Sequence, residues 1–259
     1  MKKGIWLLAL VFVSGCANMG VGTSSDSTMS APVMETEARS RAKVFTELGF
    51  AYFNRGQMKV ALDEARKAIS IENRYGPAYH LMALIYMELE EDKLAEENFR
   101  RALDIDRRDS DAHNSYGWFL CTRGRHDEGL SEFTEAMRNP LYDKPEQAMT
   151  NSGLCSERKG DLRQAESYYL KALKLAPNSP LPTIKLAGLH FRNGKLNEAQ
   201  HLLARHQEIS PPTAEALWLG LRVERKLGDR NQEAIYNQQL RRNFPDAPET
   251  QKLLRGQYE

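Results

Sequence analysis

Apolar, small and polar positions along this chain follow two superimposed periods. Within windows of about fifteen residues the apolar positions fall three and four apart, the spacing of one helix face. The same arrangement then returns about every 34 residues, as a pair of helices joined by a short turn. In the first unit, Ala42 to Tyr75, Gly49 is the small residue of the first helix, with Leu48 before it and Tyr52 after it. Gly56 marks the turn, and Ala61, Ala65 and Ala68 form the packing face of the second helix. The second unit repeats this with Ala83, Tyr86, Ala95, Phe99 and Ala102, and the third with Tyr116, Gly117, Gly124, Gly129, Phe133 and Ala136. A two-residue excess around Asn139–Pro145 precedes the fourth unit, which carries Gly153, Gly160, Ala165, Tyr169, Ala172 and Pro177. The fifth carries Leu186, Ala187, Gly194, Ala199, Leu203 and Pro211. The sixth, from about Ala214, is degenerate: it keeps Trp218, a Gly228-Asp229 turn and Pro245, with Ala234 displaced by one place.

This pattern resembles the tetratricopeptide repeat (TPR), in which small residues let two antiparallel helices approach and larger ones fill the space between units. The resemblance implies an all-α solenoid of about six helix-turn-helix repeats, a right-handed superhelix closed by a C-terminal capping segment, since solenoids need solvated ends. The repeat domain is expected over residues 39–245 and the cap over 246–259.

The N-terminus departs from this pattern. Lys2 and Lys3 precede an apolar run, Gly4 to Val13, too short to span a bilayer, which is the layout of a secretory signal peptide. The sequence Val13-Ser14-Gly15-Cys16 resembles the lipobox of bacterial lipoproteins. That resemblance implies cleavage after residue 15 and lipidation of Cys16. Several acyl chains, at ~0.8 kcal/mol per buried methylene, make a durable anchor. Ala17, where an Asp would retain such a protein in the inner membrane, implies an outer-membrane destination on the periplasmic face. The stretch 16–38 is read as the lipidated cysteine and a tether rich in Gly, Ser, Thr, Met and Ala. At about 5–6 Å × √n, some twenty residues of it reach about 25 Å.

Composition excludes several classes of function. Lys and Arg total 36 against 35 Asp and Glu, which gives no basic footprint for nucleic acid. No phosphate-binding loop, HExxH, CxxC or GxSxG pattern occurs. His201 and His206, five apart, point to different helix faces, and His80, His113, His126 and His190 stand in separate units without an evident acidic partner. No metal site, cofactor, small-molecule substrate or catalytic residue is expected. The chain reads as a binding scaffold.

Two candidate features follow from the repeat register. In TPR geometry the first helices of successive units line the concave face, and positions nine and twelve of each unit point into it. Position nine reads Phe50, Leu84, Trp118 and Leu154; position twelve reads Phe53, Met87 and Cys121, then Glu157. Residues three apart share a helix face, so these predict one apolar stripe across the first four units, flanked by Asn54, Asn114 and Asn151 as donors and acceptors for a peptide backbone. The other reading is that these side chains are core between the paired helices. Cys121 and Cys155 lie in neighbouring first helices at positions twelve and ten, close enough to face each other. In an oxidising periplasm they form either a disulfide or two buried thiols.

Blocks partly outside the repeat hallmarks carry a closer resemblance: Asn114–Cys121, Asn139–Tyr142, Thr150–Cys155, Pro211–Glu215, Leu217–Gly220 and Leu240–Pro245. Together with the lipobox they resemble the type IV pilus biogenesis and stability lipoproteins, the PilF/PilW (pilotin) family. The one departure is Gly129, where the pattern prefers Ala. The resemblance implies an outer-membrane protein that binds the pilus secretin, promotes its localisation and multimer assembly, and so supports pilus biogenesis and twitching motility. A protein of another class with the same architecture is an outer-membrane TPR adaptor for peptidoglycan synthases or hydrolases.

Overall fold

The computed structural model describes residues 36–258. The signal peptide, the lipidation site Cys16 and nearly all of the tether lie outside the described residues. The described residues form thirteen α-helices and no strand. Six antiparallel pairs follow one another: α1 (Glu37–Phe53) with α2 (Met58–Ile71), α3 (Gly76–Glu88) with α4 (Asp92–Ile105), and α5 (Ser110–Thr122) with α6 (His126–Ala136). Then come α7 (Pro145–Lys159) with α8 (Leu162–Leu175), α9 (Pro180–Arg192) with α10 (Leu196–Ile209), and α11 (Ala214–Leu227) with α12 (Arg230–Asn243). A short α13 (Pro248–Leu254) ends the array. Helix α1 starts at Glu37, so the last two residues assigned to the tether belong to the first repeat.

Curvature follows from which helices touch. Every odd-numbered helix packs on the next odd-numbered one, α1 on α3 through to α11 on α13, whereas the backbones of the even-numbered α2 to α12 stay farther apart and meet only through long side chains, as where Gln207 of α10 donates to the Tyr236 hydroxyl of α12 at 2.9 Å. The odd helices are therefore crowded on the inner, concave side, and the even ones fan out on the convex side.

Four of the six pairs share one recurring contact. The small residue of the first helix faces a larger one sixteen positions later: Ala83 and Phe99, Gly117 and Phe133, Gly153 and Tyr169, Gly220 and Tyr236. A β-carbon on Gly117 would come within 2.8 Å of the Phe133 ring, and one on Gly220 within 2.8 Å of Tyr236. A β-carbon on Gly153 would overlap the Tyr169 ring. Phe99, Phe133 and Tyr169 are completely buried, and each such side chain contributes on the order of 1.5–3 kcal/mol through removal of apolar surface from water.

Gly129 has a local reason. Its β-carbon would lie 2.7 Å from the Gly117 carbonyl and 3.2 Å from the Cys121 nitrogen. Helices α5 and α6 thus cross too closely at this point for the usual Ala.

Turns within pairs use left-handed glycines: Gly56, Gly124, Gly160, Gly194 and Gly228 have φ between 73° and 88°. In the second unit the equivalent residue is Glu90, at φ 59°, a conformation that costs an L-residue with a side chain about 1–2 kcal/mol. Residues Asn139–Lys144 of the excess become an irregular link after a shortened α6, with Leu141 87% exposed at its tip.

The sixth pair corrects one expectation. Its register runs through Gly220 and Tyr236, and Ala234 is exposed and takes no part in the pairing. The final segment caps the array as expected. Leu253 joins Leu217, Trp218, Leu221, Tyr236 and Leu240 in one cluster, and the Thr250 hydroxyl donates to the Phe244 carbonyl at 2.7 Å.

Candidate protein-binding groove

The concave wall made by the odd-numbered helices holds two separate cavities. The first, of about 550 Å³, lies between α1, α3, α5 and the start of α7. Phe50 and Asn54 form one side, and His80, Asn114 and Ser115 the floor. Asp109, Asp111, Lys144 and Gln147 form the far rim. Most of its polar groups are already engaged. Asp109 caps α5 by accepting from the Ala112 N–H at 2.9 Å, and Lys144 donates to Asp111 at 3.1 Å. His80 is nearly buried, its Nε2 2.9 Å from the Ser115 hydroxyl. Burial pushes its pKa below the ordinary histidine value, so the ring is neutral.

Behind this floor an aromatic chain runs into the core. Phe50 meets His80 edge-on at 6.0 Å, His80 meets Phe99 at 6.1 Å, and Phe99 stacks on Tyr116 at 5.4 Å. The first cavity therefore rests on a rigid support.

The second cavity, of about 500 Å³, lies between α7, α9 and α11. Ile184, Phe191, Trp218 and Leu219 supply apolar surface, and Arg158 and Arg222 supply guanidinium groups. It was not expected from the sequence.

The predicted stripe is only partly realised. Phe50, Asn54 and Asn114 meet in the first cavity, and Leu154 reaches the second. Phe53, Leu84, Met87 and Trp118 are half-buried and pack against core clusters, lining neither cavity. The buried part of each of these four side chains belongs to the packing between helices. The stripe is also interrupted, because Arg158 places its guanidinium over the Trp118 ring at 5.2 Å. Asn114 and Asn151 do not simply flank the stripe: Asn151 Nδ2 donates to Asn114 Oδ1 at 3.0 Å, tying α7 to α5.

Two histidines have partners that the sequence did not reveal. His113 Nδ1 lies 2.6 Å from Glu132, and His190 Nε2 lies 3.4 Å from Glu166. Burial disfavours the charged form of His113, but hydrogen bonds to Glu132 and to the Arg107 carbonyl outweigh it and raise its pKa. These carboxylates lie on second helices, so sequence distance concealed them. No cluster of His, Cys, Asp and Glu suited to a metal occurs among the described residues.

Cys121 and Cys155 are joined in the structure, with Cα atoms 5.7 Å apart, inside the range of roughly 4.4–6.8 Å that a bridge requires. The bond links α5 to α7 directly beneath the concave face. Both cysteines are buried among Phe133, Trp118, Leu130 and Met137.

The chain matches tetratricopeptide repeat models over residues 76–109, 122–180 and 158–221. It is 30% identical over 246 residues to the type IV pilus assembly protein PilF of Pseudomonas aeruginosa, across 95% of this chain and 96% of that protein. The solved structure of Pseudomonas aeruginosa PilF superposes with a TM-score of 0.78 at 28% identity, covering 85% of this chain and all of the other. The crystal structure of PilW, described as a widely conserved type IV pilus biogenesis factor, superposes at 0.75 with 30% identity, covering 82% of this chain and 98% of the other.

Proposed function

Because the chain belongs to the type IV pilus biogenesis family of TPR proteins that includes PilF and PilW, we propose that it is a lipid-anchored pilotin of the outer membrane. In this reading it binds the pilus secretin and promotes its localisation and multimer assembly. The observation that carries the reading is a relationship over 246 residues, 95% of the chain, which is more than the repeats alone.

The architecture suits the task. In this reading Cys16 carries the lipid that anchors the repeat array. The first cavity offers a secretin segment an aromatic contact at Phe50 and amides at Asn54, Asn114 and Gln147. Partly exposed Leu84 and Trp118 extend the apolar surface. Aromatic side chains in such positions typically dominate protein interfaces. The Cys121–Cys155 bridge, formed in the oxidising periplasm, holds α5 and α7 in register at the centre of the groove. Nothing in the array requires chemistry: it works as a rigid template.

The test is complementation of a strain lacking this protein. The wild-type chain restores secretin multimers in the outer membrane and twitching. Cys16→Ser leaves the chain uncleaved and secretin multimers mislocalised. Unchanged secretin assembly in the deletion strain, with altered peptidoglycan synthesis instead, would assign the chain to the adaptor class.

A further inference from the structure

Position nine of the repeats reads Phe50, Leu84, Trp118 and Leu154 in the first four units, and Gly188 in the fifth. Gly188 is where the second cavity opens. A β-carbon built there meets only Leu219 Cδ2, at 4.0 Å. By contrast, the neighbouring glycines 117, 153 and 220 are each obstructed by an aromatic ring. Gly188 is thus a helical glycine that no close helix contact requires, although glycine costs a helix interior about 0.5–1 kcal/mol relative to alanine. Its effect is to leave a hole in the concave wall.

Charge in that hole is uneven. Of its two carboxylates, Glu157 is bound by Arg192 and by the Tyr169 hydroxyl, and Glu215 by Lys185 at 2.7 Å. Both are neutralised within the wall. The guanidinium groups of Arg158 and Arg222 pair with no carboxylate among the described residues. Arg158 lies over Trp118 at 5.2 Å. Arg222 lies over Phe191 at 4.5 Å and donates from Nε to the Tyr258 carbonyl at 2.8 Å. Burial lowers the Arg222 pKa from its ordinary value, the mark of a cation held in poor solvent. Arg158 comes from α7 and Arg222 from α11, so the two charges stand on opposite walls with Gly188 between them.

We propose that this cavity is a second docking site, separate from the first, for an extended segment of a partner protein that carries acidic side chains on both sides of one apolar side chain. The apolar side chain enters over Gly188 against Phe191, Trp218 and Leu219. The flanking carboxylates pair with Arg158 and Arg222. Guanidinium–carboxylate pairing of this kind is strong and directional when water is partly excluded. The proposal does not depend on the secretin reading, because it uses no residue of the first cavity.

The test measures binding of the soluble chain to a capped ten-residue peptide with a central Leu between paired Asp and Glu residues. Two control peptides replace the acids by Lys or the Leu by Ala. Saturable binding is expected for the acidic peptide alone. It should weaken by about tenfold in Arg222→Gln and in Arg158→Gln, and fall steeply as salt is raised well above about 0.1 M. The deciding variant is Gly188→Leu, which fills the hole. It should abolish peptide binding while the melting temperature stays level or rises, and Gly188→Ala should retain binding. Loss of folding in Gly188→Leu would itself contradict the open space described at this position. Absence of saturable binding, equal binding of the Lys control, or undiminished binding by folded Gly188→Leu would overturn the proposal.

Discussion

The two ends of the concave wall are built from the same repeat yet present opposite chemistry. Between α1 and α7, position nine is filled by Phe50, Leu84 and Trp118, and the cavity that remains is rimmed by Asp109, Asp111 and amides. Between α7 and α11, position nine is Gly188, and the cavity is floored by Phe191 and Trp218 with Arg158 and Arg222 around it. The pairing contact beneath is the same in both halves, Gly117 against Phe133 in one and Gly220 against Tyr236 in the other. Stability and recognition are thus assigned to adjacent positions of one helix. Position eight carries the pairing contact, and position nine decides what the groove offers.

That division can be broken at several points, and the largest effect is expected at the bridge. Cys121→Ser removes the tie between α5 and α7. In the chain-entropy model a loop of about 34 residues corresponds to ~3–4 kcal/mol of stability. Denaturant titration with and without reductant reads this directly: reductant should lower the wild-type midpoint and leave the variant unchanged. Two titratable thiols in the unreduced unfolded protein would mean that no bridge forms.

Next comes the contrast between positions eight and nine. Gly153→Leu drives a side chain into the Tyr169 ring and should cost about 1–3 kcal/mol or more. Gly188→Leu, at position nine, should be neutral or stabilising. Equal losses in the two variants would show that the cavity over Gly188 is not open in solution.

A smaller effect of opposite sign is expected at the second turn. Glu90→Gly relieves the left-handed backbone that the other turns give to glycine, and should raise stability by about 1 kcal/mol. A lower denaturation midpoint would mean that Glu90 contributes an interaction of its own.

The periodicity made the repeat architecture legible because the small and large members of each pair recur at a fixed spacing. Gly117 with Phe133 and Gly153 with Tyr169 are visible as such in the sequence. The closeness of the two cysteines was legible for the same reason, since one repeat separates Cys121 from Cys155. The second cavity was not legible. It depends on the absence of a side chain at Gly188 and on residues of α7 and α11 some sixty positions apart that meet only through curvature. Arg158 over Trp118 and Glu132 beside His113 were hidden likewise, because each joins different helices at no repeated spacing. Gly129 looked like a departure until the closeness of α5 and α6 gave it a reason.

The smallest expected effect is on pH dependence. His113 has a raised pKa in the folded state, so its contribution is fully present below the ordinary histidine value and is lost as pH rises through the raised one. His80 and His206 are lowered by burial, and protonating them costs stability as pH falls below the ordinary value. The two effects oppose each other on acidification. His113→Gln should therefore lose stability more steeply than wild type between pH 7 and pH 5, measured by thermal melts. A shallower loss would mean that Glu132 does not hold the protonated ring.

The central claim is that partner recognition resides on the concave face and is separable from folding. The most direct measurement is binding of the soluble chain, from Ala17 onward, to purified periplasmic fragments of the pilus secretin. It compares wild type with a variant carrying Phe50→Ser, Leu84→Ser and Trp118→Ser, with melting followed in parallel. The account predicts saturable binding by wild type, its loss in the triple variant, and helical content and a cooperative melt retained in both. Undiminished secretin binding by the folded triple variant would contradict it, as would unfolding of that variant, which would return all three side chains to the core.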